Sequence, residues 1–224
     1  MTADDFEVIE EEFPADELAD LAFGMFTIFI EKHQESQGSF LFREVESGGD
    51  IDELCTRLLP EFSSEYAPLA AALERIGAAQ EIAALYRSGE GIIPSKTRRS
   101  YWIQQDRPGV DPGAAGAEEA GKWLIFVEQN DVDTAWQKIR NATIEGKLGI
   151  GAKVSTAKEN EDAHDERKVI YVFTADWADE PDVMRVRDEL KELGFADRIG
   201  YKRNLDTYAG EYREKGKRVA YYSV

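Results

Sequence analysis

The chain has 224 residues, an ordinary hydrophobic fraction of 42%, a formal net charge of −18 and one cysteine. A lone Cys55 excludes a disulfide within the chain and fits a reducing, cytoplasmic setting. The longest apolar run, Leu21 to Ile30, is about half of the roughly 20 residues that a membrane span needs.

The negative charge is unevenly spread. Residues 1–120 carry 9 Lys/Arg against 25 Asp/Glu, a net of −16, whereas residues 121–224 carry 18 against 20, a net of −2. Two readings compete: an acidic arm that docks a basic partner, or a salt-adapted surface whose excess carboxylates keep the protein hydrated. The acids are scattered along helical stretches rather than massed in one block, which favours salt adaptation and a halophilic source. It also lowers the weight of any isolated carboxylate as a catalytic group. No basic region followed by an apolar core opens the chain, so no signal peptide is expected.

In chain order, residues 1 to 13 are acidic with apolar Phe6, Val8 and Phe13, and read as an arm or a frayed strand. Pro14, Asp16 and Glu17 suit the first turn of a helix that runs to about Gln34. Phe40, Phe42 and Val45 alternate loosely, so Ser39 to Glu46 reads as a short strand or an extended link. From Asp50 the apolar spacing is helical: Ile51, Leu54 and Leu58, then Tyr66, Leu69 and Leu73, then Ile82 and Leu85. Ser88-Gly-Glu-Gly closes the set. A strand over Ser100 to Gln105 leads through a Pro/Gly-rich loop into the apolar run Gly121 to Val127. A helix follows from Asp131, with Val132, Trp136 and Ile139 on one face, and Gly146 and Gly149 end it. Ala152 to Thr156 and Lys168 to Thr174 read as strands, Glu180 to Leu193 as a helix, and Arg198 to Arg203 as another strand. Arg218 to Val224 suits a last edge strand. The expected fold is α+β, a mixed or antiparallel sheet with both later helices on one face. The expected division is an acidic helical region over residues 1–92, packed on a sheet domain over 93–224.

Cations gather at Lys96/Arg98/Arg99, Lys147/Lys153, Arg185/Arg187 and Lys202/Arg203, with Tyr101-Trp102 and Tyr201 alongside. A cationic groove with stacking aromatics is what single-stranded nucleic acid or a nucleotide requires, since backbone charge and base face both need partners. The competing reading pairs these cations with the abundant acids. Lys96, Arg98, Arg99 and Trp102 are the first choices for contacts, and Lys153, Arg185, Tyr201, Lys202 and Arg203 the second. Trp123 and Trp136 stand at core-facing positions. No His or Cys has metal-ligand spacing, the glycines at 146, 149 and 151 fit no Walker or dinucleotide loop, and Ser155 and Thr156 lack a partnered base, so no metal, cofactor or nucleophilic triad is expected.

The runs Gly-Lys-Trp-Leu-Ile-Phe-Val from Gly121, Ala-Trp-Gln-Lys-Ile from Ala135, Gly-Lys-Leu-Gly-Ile-Gly-Ala-Lys-Val-Ser from Gly146, Val-Met-Arg-Val-Arg-Asp-Glu-Leu from Val183 and Tyr-Lys-Arg-Asn-Leu-Asp-Thr-Tyr-Ala-Gly-Glu-Tyr from Tyr201 resemble the Bles03 family. That family is also called UPF0696 or DUF1917, and the resemblance covers roughly the last 125 residues. It implies the fold of the cap-binding translation initiation factor, a curved antiparallel sheet backed by helices. Cap recognition itself is not expected. Gly113-Ala-Ala-Gly-Ala stands where that factor has a Trp-Glu pair, and Ser155-Thr156-Ala157-Lys158 where basic residues grip the cap phosphates. The fold carries over without its ligand. The resulting expectation is non-catalytic binding of RNA or a phosphorylated nucleotide in the concave face of the sheet.

The family's phosphothreonine lyase label implies an alternative, a phosphate-eliminating enzyme with Lys153 or Lys147 as base. Such an enzyme also needs an acid, and the two histidines suit it poorly: His33 ends an acidic helix and His164 lies in an acidic loop. A protein-interaction role for the acidic helices is the third reading.

Overall fold

The computed structural model describes residues 14–111, 116, 118–160, 166–208 and 220–224. The expected arm over residues 1 to 13 and the acidic loop holding His164 lie outside them. The chain divides into two compact units, one of residues 1–101 with 156–160, the other of 102–155 with 161–224.

The first unit is helical: α1 (Ala15–Ser36), α2 (Leu41–Ser47), α3 (Ile51–Glu65), α4 (Ala67–Leu73) and α5 (Ala79–Ser88). Pro14 precedes α1, with Asp16 and Glu17 in the first turn where the helix dipole favours negative charge. Asp50 caps α3 by accepting the Glu53 backbone N–H at 2.9 Å, and Gly89 ends α5 at φ 102°. Phe26, Ile30, Leu58, Phe62 and Tyr86 form the fully buried interior, and Cys55 is buried with them. Burial lifts the Cys55 thiol to about 12, with the Asp52 carboxylate adding to the rise, so it stays protonated and inert.

One expectation is corrected here. Residues 41–47 form a helix rather than a strand or extended link. Leu41 and Phe42 are buried, and Phe40, extended at φ −147° just before the helix, stacks its ring on Phe42 at 5.7 Å. Tertiary burial of three apolar residues outweighs their loose alternation.

The second unit holds β1 (Trp102–Asp106), β2 (Gly121–Val127), α6 (Val132–Ile144), β3 (Gly151–Ser155), β4 (Lys168–Thr174), α7 (Glu180–Glu192), β5 (Gly200–Arg203), the short α8 (Asn204–Tyr208) and β6 (Tyr222–Ser223). Among the described residues six strands form one sheet in the order β1-β3-β4-β2-β5-β6, antiparallel at every pairing. The α+β expectation holds, and of its two sheet types the antiparallel one is found.

Strand alternation sends Trp123, Ile125, Val154, Ile170, Val172 and Tyr201 to one face, where α6 and α7 cover them with Trp136, Ile139, Val183, Val186 and Leu190. Both helices therefore lie on the same side, as expected. Trp123 donates its indole N–H to the Val183 carbonyl at 3.1 Å and meets the Tyr201 ring edge-on at 5.1 Å. Gly149 marks the tightest approach in this unit. A Cβ there would strike the Phe173 carbonyl oxygen, which is the acceptor for the Ile150 N–H at 2.9 Å.

Arg187 is a charged group inside this core, with 1% of its surface exposed. Its guanidinium donates to the carbonyls of Phe195 (2.7 Å), Asp197 (2.8 Å), Ala196 (3.3 Å) and Val224 (3.3 Å). One side chain of α7 thus satisfies the turn after the helix and anchors the chain beside β6. Among the described residues no helix is long and apolar enough to cross a membrane.

Candidate lysine-aromatic site on the sheet

The residues that alternate with the core positions build the opposite face. Register places them in two rows. One row runs Asp106, Gly151, Phe173, Lys122, Lys202 across β1, β3, β4, β2 and β5. The next runs Gln104, Lys153, Tyr171, Leu124, Gly200 in the same strand order. Trp102 follows on β1, stacked on Tyr171 at 5.2 Å with ring planes 30° apart.

Two ammonium groups reach the same pair of rings from strands on either side of β4. Lys122 Nζ lies 5.4 Å from the Tyr171 centroid and 6.0 Å from that of Phe173. Lys153 Nζ lies 5.5 Å and 6.0 Å from the same two, and 4.2 Å from the Trp102 centroid. These are cation–π distances, and the ring faces offset part of the repulsion between the charges. Lys122 Nζ also donates to the Asn204 side-chain oxygen at 3.0 Å. Lys202 faces Lys122 in register and is buried at 6% exposure.

The electrostatics follow from this crowding. Burial lowers the Lys122 amine to about 8, and the like charges of Lys153 and Lys202 push in the same direction. Burial lowers Lys153 as well. A lysine with a depressed folded value destabilises the folded state while both states are protonated. Its contribution therefore improves as pH rises from about 8 towards the ordinary 10.5. An anion seated against these amines would reverse the depression, because it favours the charged form.

The sequence-derived candidates separate. Trp102, Lys153 and Lys202 lie together on this face. Tyr201 does not: it points to the helix side, fully buried, with its hydroxyl 2.6 Å from that of Thr174. Arg185 is likewise elsewhere, on α7, donating to Asp182 at 2.9 Å and to the Lys147 and Leu148 carbonyls at 2.6 and 3.4 Å. Arg203 forks onto Asp206 at 2.6 and 3.0 Å and stands 4.9 Å over Trp177 and 4.7 Å over Tyr221. Lys96, Arg98 and Arg99 belong to the first unit. There Arg99 pairs with Asp20 at 2.7 Å, the backbone N–H groups of Arg98 and Arg99 donate to the Glu90 carboxylate, and the side chains of Lys96 and Arg98 are exposed. The alternative base Lys147 is paired with Glu145 at 2.6 Å, which raises its amine rather than freeing it.

Lys122, Tyr171 and Phe173 were not among the candidates. Each sits in an apolar strand run, and the sequence groups cations by proximity along the chain rather than across strands. Strict alternation around Trp123 and Ile125 was the signal that put Lys122 on the second face. Replacing Tyr201 by Phe separates the two faces experimentally. The loss of one buried hydroxyl pair should cost about 1 kcal/mol in urea denaturation and leave ligand binding on the lysine face unchanged.

Several solved structures are similar to this chain. C. elegans eIF4E-3, solved with the 4E-binding protein Mextli and a cap analog, is 18% identical at a TM-score of 0.39, covering 48% of this chain and 65% of that one. A schistosome eIF4E complexed with m7GpppA and 4E-BP is 20% identical at 0.39, covering 53% and 65%. Ascaris suum eIF4E-3 with an m2,2,7G cap is 17% identical at 0.38, covering 56% and 73%. The chain thus spans just under two thirds of the length of the first two. Residues 114–210, which carry β2 to β5 and with them Lys122, Lys153 and Lys202, match the family model of basophilic leukemia-expressed protein Bles03.

Proposed function

We propose that this protein binds RNA or a phosphorylated nucleotide, without catalysis, on the sheet face opposite α6 and α7. The observation that carries this reading is the convergence of Lys122 and Lys153 on the Trp102, Tyr171 and Phe173 rings. Amines supply the partner for phosphate and aromatic faces the partner for a base. In a chain with a net charge of −18, cations kept together on one sheet face are a local reversal of the overall field. The cap-specific form of this activity is not proposed, since no tryptophan–glutamate pair stands in the loop before β2.

The test is filter binding and crosslinking of the purified protein to cellular RNA across a potassium chloride series. Retention should fall as salt rises, because phosphate binding releases counterions, and Trp102→Ala with Lys153→Met should remove it. Absence of retention at every salt concentration where the protein is folded would reject the reading.

The same face predicts a pH dependence. Phosphate binds the protonated Lys122 more tightly, so affinity should be highest below about 8 and decline as pH rises through that value. Calorimetry in two buffers of different ionisation enthalpy should show proton uptake on binding near pH 8. Flat affinity from pH 7 to 9.5 would remove Lys122 from the contact.

One observation favours the second reading, a phosphate-eliminating enzyme. A lysine held near 8 is better suited to take a proton at neutral pH than an ordinary one. Release of inorganic phosphate from a phosphothreonine peptide, lost on Lys122→Met, would establish it over simple binding.

A further inference from the structure

The lysines on the sheet are concentrated, and their arrangement distinguishes between two kinds of phosphate. A face that tracks a polynucleotide spreads its cations along the strand, about one contact for each successive phosphodiester. Here Lys122 and Lys153 approach the same two rings, and Lys202 lies directly across from Lys122. Away from that point the face turns apolar. Leu124 and Phe126 are the next positions of β2 on this side, with Val169 paired to Phe126, and the next cation is Arg167, which stands 5.1 Å over the Phe126 ring. Two carboxylates border the lysines: Asp106 at the sheet edge accepts from the Gln104 amide at 2.8 Å, and Asp206, close enough to feel the Lys202 charge, is forked by Arg203 at 2.6 and 3.0 Å. Gly151, between Asp106 and Phe173 in that row, has no side chain of its own, and the Asp106 carboxylate lies over it.

Like charges held this close cost free energy until an anion neutralises them, and the cost is best offset by an anion with more than one charge at a single point. A phosphodiester offers one charge. A phosphate monoester carries close to two at neutral pH, because its second proton leaves near pH 6, and a terminal polyphosphate carries more. We infer that the Lys122–Lys153–Lys202 cluster seats a terminal phosphate, that of a 5′-phosphorylated nucleotide or RNA end, with Trp102 and Tyr171 carrying the adjoining base. This inference rests on reading the face as a nucleotide site and narrows it to a chain end.

The experiment compares a short oligouridylate bearing a 5′-phosphate with the same oligomer bearing a 5′-hydroxyl, both labelled at the 3′ end, by fluorescence anisotropy at pH 7.5. The 5′-phosphorylated oligomer should bind at least about tenfold more tightly, the equivalent of one added charge-assisted contact. Lys122→Met should abolish the preference and Lys122→Arg should retain most of it, which separates loss of charge from loss of fold. Equal binding of both oligomers would overturn the inference while the broader nucleotide reading stands. A preference that persists in Lys122→Met would also overturn it, since the terminal phosphate would then be held elsewhere. If neither oligomer binds the folded protein, both readings fall.

Discussion

Replacing Lys122 and Lys153 together by Met should weaken binding of a phosphorylated oligonucleotide about a hundredfold or more. Each amine can give a phosphate a charge-assisted hydrogen bond, and such bonds contribute about 1.5–3 kcal/mol each. Losing two is thus about 3 kcal/mol at the lower bound, or roughly a hundredfold in affinity. Methionine keeps an unbranched apolar stem against Tyr171 and Phe173, so the packing under the amines survives. The fold should be unharmed or slightly steadier, because the change removes two crowded charges whose protonation is already disfavoured. Anisotropy titration beside a thermal melt in the same buffer checks both parts. Undiminished affinity would show that the sheet lysines do not touch the ligand.

The second large effect concerns stability. Arg187→Met should destabilise the sheet unit by about 3 kcal/mol, chiefly through the two short bonds to Phe195 and Asp197 carbonyls. Buried carbonyls deprived of a donor keep their desolvation cost, and methionine offers none in return. Urea denaturation should show a lower midpoint with an unchanged slope, and binding by the remaining folded protein should persist. A change under about 1 kcal/mol would mean that water or a backbone shift takes over the guanidinium's bonds.

Much of the architecture could be read from the chain because strand and helix periods are local. Trp123 and Ile125 alternate in β2, and Val132, Trp136 and Ile139 recur at helical spacing in α6, so neighbours in sequence were enough to assign both. Residues 41–47 form a helix because burying Leu41 and Phe42 outweighs an alternation that is only loose, and burial is not written in that local pattern. The candidate site was legible only in part. Trp102 and Lys153 carry their own chemical signal beside other basic or aromatic residues. Lys122 sits two strands from Lys153, and their convergence over Tyr171 and Phe173 exists only once the order β3-β4-β2 is known. Tyr201 and Arg185 show the converse. Proximity to Lys202 and Arg187 in sequence made them look like site residues, while strand alternation and helix rotation carried both to the other side.

The row that pairs Lys122 with Phe173 and Lys202 also guards the assembly of the sheet. A slip of β2 by one residue would turn Lys122 into the space under α6 and α7 and push Trp123 out of it. An unpaired ammonium in a dry interior is costly enough to make that misassembled sheet unstable, even though its backbone pairs as well as the native one does. Lys122 should therefore disfavour the shifted register whether or not a ligand is present. Lys122→Met removes that penalty without weakening the native register, so the folded variant should melt normally while its refolding from urea, followed by size exclusion, should yield a larger aggregated fraction.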